Sequence, residues 1–80
     1  MFYVYILKCK DKTLYTGITT DLKRRVTEHN SSNLGAKYTC ARRPVKLVYF
    51  KEFKTRSEAT KEEWRIKHLK KEEKLEIIKQ

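Results

Sequence analysis

Two short apolar runs open the chain. Phe2 to Lys8, FYVYILK, is aromatic and β-branched, and Leu14 to Thr19, LYTGIT, repeats that character after the polar stretch CKDKT. Runs of this length and composition predict strands, and the short connection predicts an antiparallel hairpin. Gly17 falls inside the second run. Glycine weakens a strand, so it predicts a bulge or a close approach of another group to the backbone. The period then changes. In TTDLKRRVTEHN, Leu22 and Val26 stand four apart and mark a helical stripe that Thr20 or Asp21 can cap. At about 100° per residue, Arg25 and His29 fall beside that stripe, while Lys23, Arg24, Thr27 and Glu28 fall elsewhere.

The pattern is weaker in the middle. NSSNLG (Asn30 to Gly35) is loop by composition, and Ala36 to Pro44 is basic and ambiguous. Pro44 argues against a helix continuing through Arg42 and Arg43. VKLVYFKEF (Val45 to Phe53) predicts a third strand, paired with the hairpin. TRSEATKEEWRIKHLK predicts a second helix, with Thr55 and Glu58 as a capping box and Ala59, Ile66 and Leu69 on its stripe. Glu62 and Glu63 fall on or beside that stripe, Glu63 near its centre. A last short helix, EEKLEIIKQ, docks through Leu75 and Ile78. The expectation is an α+β domain over residues 1–80: a small three-stranded antiparallel sheet flanked by helices, in the order ββαβαα.

Length and charge narrow the partners. Eighty residues make one domain that buries only about 60% of its unfolded surface. No apolar run approaches the roughly 20 residues that span a bilayer. The first residues lack a basic segment followed by an apolar one, which leads to the expectation of a soluble, cytoplasmic protein. Twenty Lys and Arg against ten Asp and Glu give a net charge of +10. That field attracts polyanions, nucleic acid first and an anionic membrane second. No segment joins a basic face to a strongly apolar one, so no membrane partner is expected. Cys9 and Cys40 are isolated, which excludes a Cys-based zinc motif and suggests free thiols that pack as small hydrophobes.

Five polar groups are aimed inward by periodicity: Tyr5, Tyr15, Arg25, His29 and Glu63. Each alone has a bland explanation. Strand tyrosines pack, arginines snorkel, lone histidines are structural, and Glu63 can pair with Lys67 one turn on. Together they provide a carboxylate for a hard divalent cation, an arginine for a phosphate, and hydroxyls and an imidazole for proton transfer. Phosphodiester hydrolysis needs that inventory.

The spacing of these residues resembles a known family. YVY (Tyr3 to Tyr5), followed ten residues later by YTG (Tyr15 to Gly17), resembles the two triplets that name the GIY-YIG nuclease superfamily. Arg25 stands ten residues after Tyr15, where the family carries an arginine on its first helix, and His29 matches a histidine of several members. Glu63 falls where the family places its metal-binding glutamate. GAKYTCARRPVKLVYF is similar to the small single-domain bacterial branch, and RRVTEHN resembles the branch that resolves branched DNA.

The resemblance implies an endonuclease hydrolysing DNA, in repair or recombination, with Mg²⁺ or Mn²⁺ on Glu63. It also implies that one tyrosine, Tyr5 before Tyr15, positions or deprotonates the attacking water, relayed through His29. Tyr15 would bond the phosphate or water, and Arg25 would stabilise the transition state. Lys8, Lys10, Lys12, Lys23, Arg24, Arg42 and Arg43 are the expected nucleic-acid contacts around the groove, with Gly17 letting the second helix or the substrate come close. Four features depart from the family: Tyr3 for glycine, Thr16 for isoleucine, Ile18 for the excision-repair lysine, and no late asparagine beyond Asn30 and Asn33. Activity that is weak or dependent on a protein partner would follow. Two other readings stay open: a non-catalytic nucleic-acid-binding module on the same scaffold, and an interaction protein for an acidic partner. Charge does not separate DNA from RNA; the resemblance puts DNA first.

Overall fold

The computed structural model describes residues 1–31 and 37–79. Three strands, β1 (Phe2–Lys8), β2 (Leu14–Thr19) and β3 (Lys46–Phe53), form one antiparallel sheet in the order β2-β1-β3. The helices are α1 (Leu22–Ser31), α2 (Lys37–Cys40), α3 (Arg56–Lys67) and α4 (Lys71–Lys79). Apart from the single turn of α2, this is the expected α+β order ββαβαα.

β1 is central, and both of its faces are covered, so Val4, Tyr5, Ile6 and Leu7 are all buried. Val4 and Ile6 pack under Ala59 and Ile66 of α3, with Ile77 and Ile78 of α4 at the margin. Tyr5 and Leu7 face the other way, among Cys9, Val45, and Leu22 and Val26 of α1. The hairpin turn is held by Asp11, whose carboxylate accepts from the Thr13 amide at 3.1 Å and hydroxyl at 2.6 Å. Asp21 caps α1, accepting from the Arg24 amide at 3.1 Å. Thr55 and Glu58 form the expected capping box on α3, worth about 1 kcal/mol.

Several boundaries differ from expectation. Asn30 and Ser31 continue α1 rather than opening a loop; residues 32–36, including Asn33, and Gln80 lie outside the described residues. α3 ends at Lys67. α4 docks through Ile77 and Ile78, while Leu75 is exposed, because Lys74, Ile77 and Ile78 share one face at i, i+3, i+4. Cys9 is buried as expected of a small hydrophobe, but Cys40 is exposed. Among the described residues no helix is long and apolar enough to cross a membrane.

Candidate active site

The pairing of β1 with β2 runs without a bulge and places Tyr5 opposite Gly17. Gly17 is needed for what crosses it. A Cβ there would sit 2.5 Å from the Tyr5 hydroxyl and 2.7 Å from the ring carbon bearing it. The group approaching the glycine is therefore a phenol of the same sheet, not a helix or a substrate as the sequence suggested. Because β2 is an edge strand, the Tyr5 ring lying across Gly17 carries its hydroxyl toward α1. The sheet's irregularity lies elsewhere, between Ile6 and Leu7 on the β3 side.

At that edge the Tyr5 hydroxyl meets two side chains of α1. Arg25 lies close enough to act on its titration, and Nε2 of His29 lies 3.0 Å away. Nδ1 of His29 is 2.7 Å from Oγ1 of Thr39, on α2. In a neutral imidazole one ring nitrogen donates and the other accepts, and the Tyr5 and Thr39 hydroxyls can each serve as donor or acceptor, so both tautomers satisfy the two contacts. His29 is fully buried. Burial, with Arg25 and Arg43 nearby, lowers its pKa to about 4, so it is neutral at pH 7. Burial likewise raises the pKa of Tyr5, more than Arg25 lowers it, with Tyr15 and Glu63 pushing it further up. Tyr5 is therefore a phenol in the free protein.

The other predicted residues gather around this chain. The Tyr15 ring lies 5.3 Å from that of His29, tilted by 60°. It is half-buried, whereas Tyr5 is 1% exposed. Of the two tyrosines, Tyr15 is the one that water can reach. Arg25 is also anchored by Glu28 at 3.0 Å. Glu63 is close enough to act electrostatically on Tyr5, and its carboxylate pairs with Lys67 at 3.1 Å. Glu62 turns to the other flank of α3, where both of its oxygens accept from Arg65 at 2.7 Å.

The predicted basic residues do not form one patch. Lys23 and Arg24 lie on α1 beside Arg25. Lys8, Lys10 and Lys12 cluster at the hairpin end, separated from Phe2 by the length of β1, about 20 Å at 3.3 Å per residue. Arg42 is there too, tied to Asp11 at 3.0 Å. Arg43 donates to the carbonyl of His29 at the end of α1.

Two residues that fix His29 were not singled out from the sequence for this role. Thr39 holds its ring. Asn30 fastens the end of α1 to the start of β3: its Nδ2 donates to the Val45 carbonyl at 3.0 Å, and its Oδ1 accepts from the Val45 amide at 2.6 Å. Asn30 is thus committed to the fold. Asn and Thr in a polar, helix-poor stretch carry no periodic signal, because their partners are distant in sequence.

The family model for the GIY-YIG catalytic domain matches residues 1–76. The chain belongs to the GIY-YIG family. Its relatives include a UPF0213 protein of Desulfotalea psychrophila, 55% identical over 98% of this chain and 71% of the relative. Another, from Syntrophus aciditrophicus, is 54% identical over 98% of this chain and 90% of the relative. Two solution structures share the fold. A UPF0213 protein from Bacillus halodurans has a TM-score of 0.63 at 45% identity, covering 99% of this chain and 84% of that one. A protein from E. faecalis has a TM-score of 0.65 at 48% identity, covering 96% and 81%. The GIY-YIG domain brings the chain into a nuclease superfamily whose members generally use divalent metals.

Donor chemistry tests whether a cation suits this site. Among the described residues no three His, Cys, Asp or Glu side chains converge on a metal-sized position. Glu63 therefore offers no preformed cage. One half-buried carboxylate does suit Mg²⁺ or Mn²⁺: Mg²⁺ keeps several waters and takes one or two carboxylates together with substrate phosphate. In this structure Lys67 supplies the positive charge that the carboxylate needs.

Proposed function

We propose that this protein is a divalent-metal-dependent endonuclease that hydrolyses phosphodiester bonds in DNA, acting in the cytoplasm in repair or recombination. The observation that carries the reading is the buried chain Tyr5–His29–Thr39, with Arg25, Tyr15 and Glu63 set beside it. A helix and sheet needing only stability would fill that space with apolar groups.

Arg25, held by Glu28 at 3.0 Å and close to Tyr5, presents a fixed positive charge to the phosphate. Held this way, it stabilises charge that develops on the phosphorus oxygens. The half-buried Tyr15 orients the attacking water or takes its proton, a role the sequence alone suggested for Tyr5. Tyr5 positions Arg25 and His29. Transfer of its proton to His29 is uphill in the free protein, because burial raises the pKa of Tyr5 and lowers that of His29 to about 4. Glu63 would hold Mg²⁺ or Mn²⁺, which supplies positive charge against the phosphate and the leaving oxygen. Neutral His29 orients, and carries no charge of its own at pH 7.

The test is single-turnover cleavage of single-stranded, duplex, flap and four-way-junction DNA, and of RNA, with Mg²⁺ or Mn²⁺. Tyr15→Phe should lose on the order of 10²-fold in rate with affinity retained. Glu63→Gln should abolish cleavage while metal-free binding holds or tightens. Trp64, next to Glu63 on α3 and 64% exposed, gives a second readout: Mn²⁺ should quench its emission in the parent and not in Glu63→Gln. Undiminished cleavage in either variant sinks the mechanism. A second reading, a non-catalytic nucleic-acid-binding module, draws on the Lys67 ion pair that already answers Glu63. It predicts binding without cleavage on every substrate.

A further inference from the structure

Beside the catalytic cluster lies an open pocket of about 320 Å³ between α1 and the start of α3. Its wall includes Phe2, Thr20, Arg24, Arg25, Glu28 and Arg56. Three guanidiniums thus face one carboxylate. That carboxylate is already answered, lying 3.0 Å from Arg25 and 3.8 Å from Arg24. Arg56 has no ion pair among the described residues, and neither periodicity nor the family spacing marks it.

Arg56 is also badly placed for stability. It is the first residue of α3, directly after the Thr55 cap. The N-terminus of a helix carries partial positive charge, and a cation there opposes the dipole. An acidic residue at this position would serve the helix better. A cation kept where it opposes its own helix, at the rim of a pocket shared with Arg25, suits an anion that arrives from outside.

We infer that this pocket is a second phosphate subsite: Arg56 and Arg24, with the Thr20 hydroxyl, take the strand's phosphate next to the one on Arg25. The inference rests on the nucleic-acid reading above. Arg25 belongs to both sites, so the two phosphates lie in neighbouring positions of one strand. Arg56 then sets the register of the strand and the direction in which it crosses the site. Such a contact positions without reading base identity.

A charge-deletion cycle tests it. A labelled flap DNA is prepared with a neutral methylphosphonate replacing one phosphate at a time around the cleaved bond. Metal-free affinity is then measured for the parent, Arg56→Gln and Arg56→Glu. Arg56→Gln should bind about tenfold more weakly at moderate salt, with the log–log salt slope reduced by about one. One methylphosphonate position should weaken the parent and leave Arg56→Gln unchanged. Arg56→Glu should bind more weakly still, yet melt at the same temperature or higher, because it suits the helix dipole. A residue with only a structural role would move binding and melting in the same direction. If every methylphosphonate costs Arg56→Gln as much as the parent, the subsite is refuted. That outcome leaves the nuclease reading standing, since cleavage and its loss in Tyr15→Phe are measured independently. Conversely, if the parent binds but never cuts and the cycle still closes at one position, the nuclease reading fails and the subsite survives.

Discussion

Acidification should destabilise this domain before most of its carboxylates titrate, through His29. The ring is fully buried, and its pKa falls from 6.5 to about 4 on folding. Between those values the unfolded chain binds a proton that the folded chain refuses, so stability falls as pH falls. The contribution is complete above pH 6.5. The linkage relation with these two values gives a loss on the order of 1 kcal/mol at pH 5.5 and of 2–3 kcal/mol at pH 4.5. A domain of this size has roughly 4–12 kcal/mol to lose. With a urea m-value of about 1 kcal/mol/M, the midpoint should drop by about 1 M and then about 2–3 M relative to pH 7.5. The carboxylates held low, Asp11 by its bonds to Thr13 and Glu62 by Arg65, act only below their unfolded values. The window above pH 4.5 is therefore dominated by the imidazole. Urea melts at pH 7.5, 5.5 and 4.5, with the His29 ring protons followed by NMR, provide the assay. A flat midpoint across that range, or a His29 resonance titrating near 6.5, would refute the reasoning.

Two further substitutions probe β2. Gly17→Ala puts a methyl group 2.5 Å from the Tyr5 hydroxyl, so the ring must shift and break its contacts with Arg25 and His29. We expect a loss of about 1–3 kcal/mol by thermal melting, and cleavage that falls further than stability; a variant as stable and active as the parent would show that the Tyr5 ring does not lie over Gly17. Thr16→Val removes the Thr16 hydroxyl, which is buried without a hydrogen-bond partner among the described residues. It should raise stability by about 1 kcal/mol or more, and a destabilised Val variant would mean that the hydroxyl has a partner.

The strands and the long helices were legible because their signals are local. Aromatic and β-branched runs, the Thr55–Glu58 box and the stripe of Ala59 and Ile66 each act within a few residues. Arg25 and His29 were legible for the same reason: helical spacing alone tilts them toward the core, and the described side-chain exposures, 25% for Arg25 against 62% for Arg24, follow that tilt. Other features depend on long-range pairing. Gly17 read as a gap, but only the sheet register shows that Tyr5 fills it. The difference in burial between the tyrosines depends on which strand is central, since both triplets look alike in sequence. The two ends of β1 are similarly hidden: Lys8 and Lys23 read as one basic rim until the strand separates them. Leu75 looked like an anchor because leucine usually is one, yet the face of α4 is set by Ile77 and Ile78.

The polar chain of the site is also part of the core, and this decides how its variants must be read. Tyr5 packs with Leu7, Cys9 and Val45, and His29 and Thr39 are fully buried. Truncating His29 to alanine would leave the Tyr5 hydroxyl without its imidazole partner and remove the ring partner of Thr39. Each buried polar group left unsatisfied costs about 1–3 kcal/mol, so such a variant loses fold and function together and separates neither. Replacing Tyr5 by Phe deletes one hydroxyl and keeps the ring over Gly17, which confines the damage to the contacts with Arg25 and His29. Coupling within the chain is then measurable only as the departure from additivity between Tyr5→Phe and Thr39→Val. If His29 transmits the constraint from α2 to Arg25, the double variant should lose less activity than the two single losses multiplied. Independent losses would mean that Thr39 holds the ring for the fold alone.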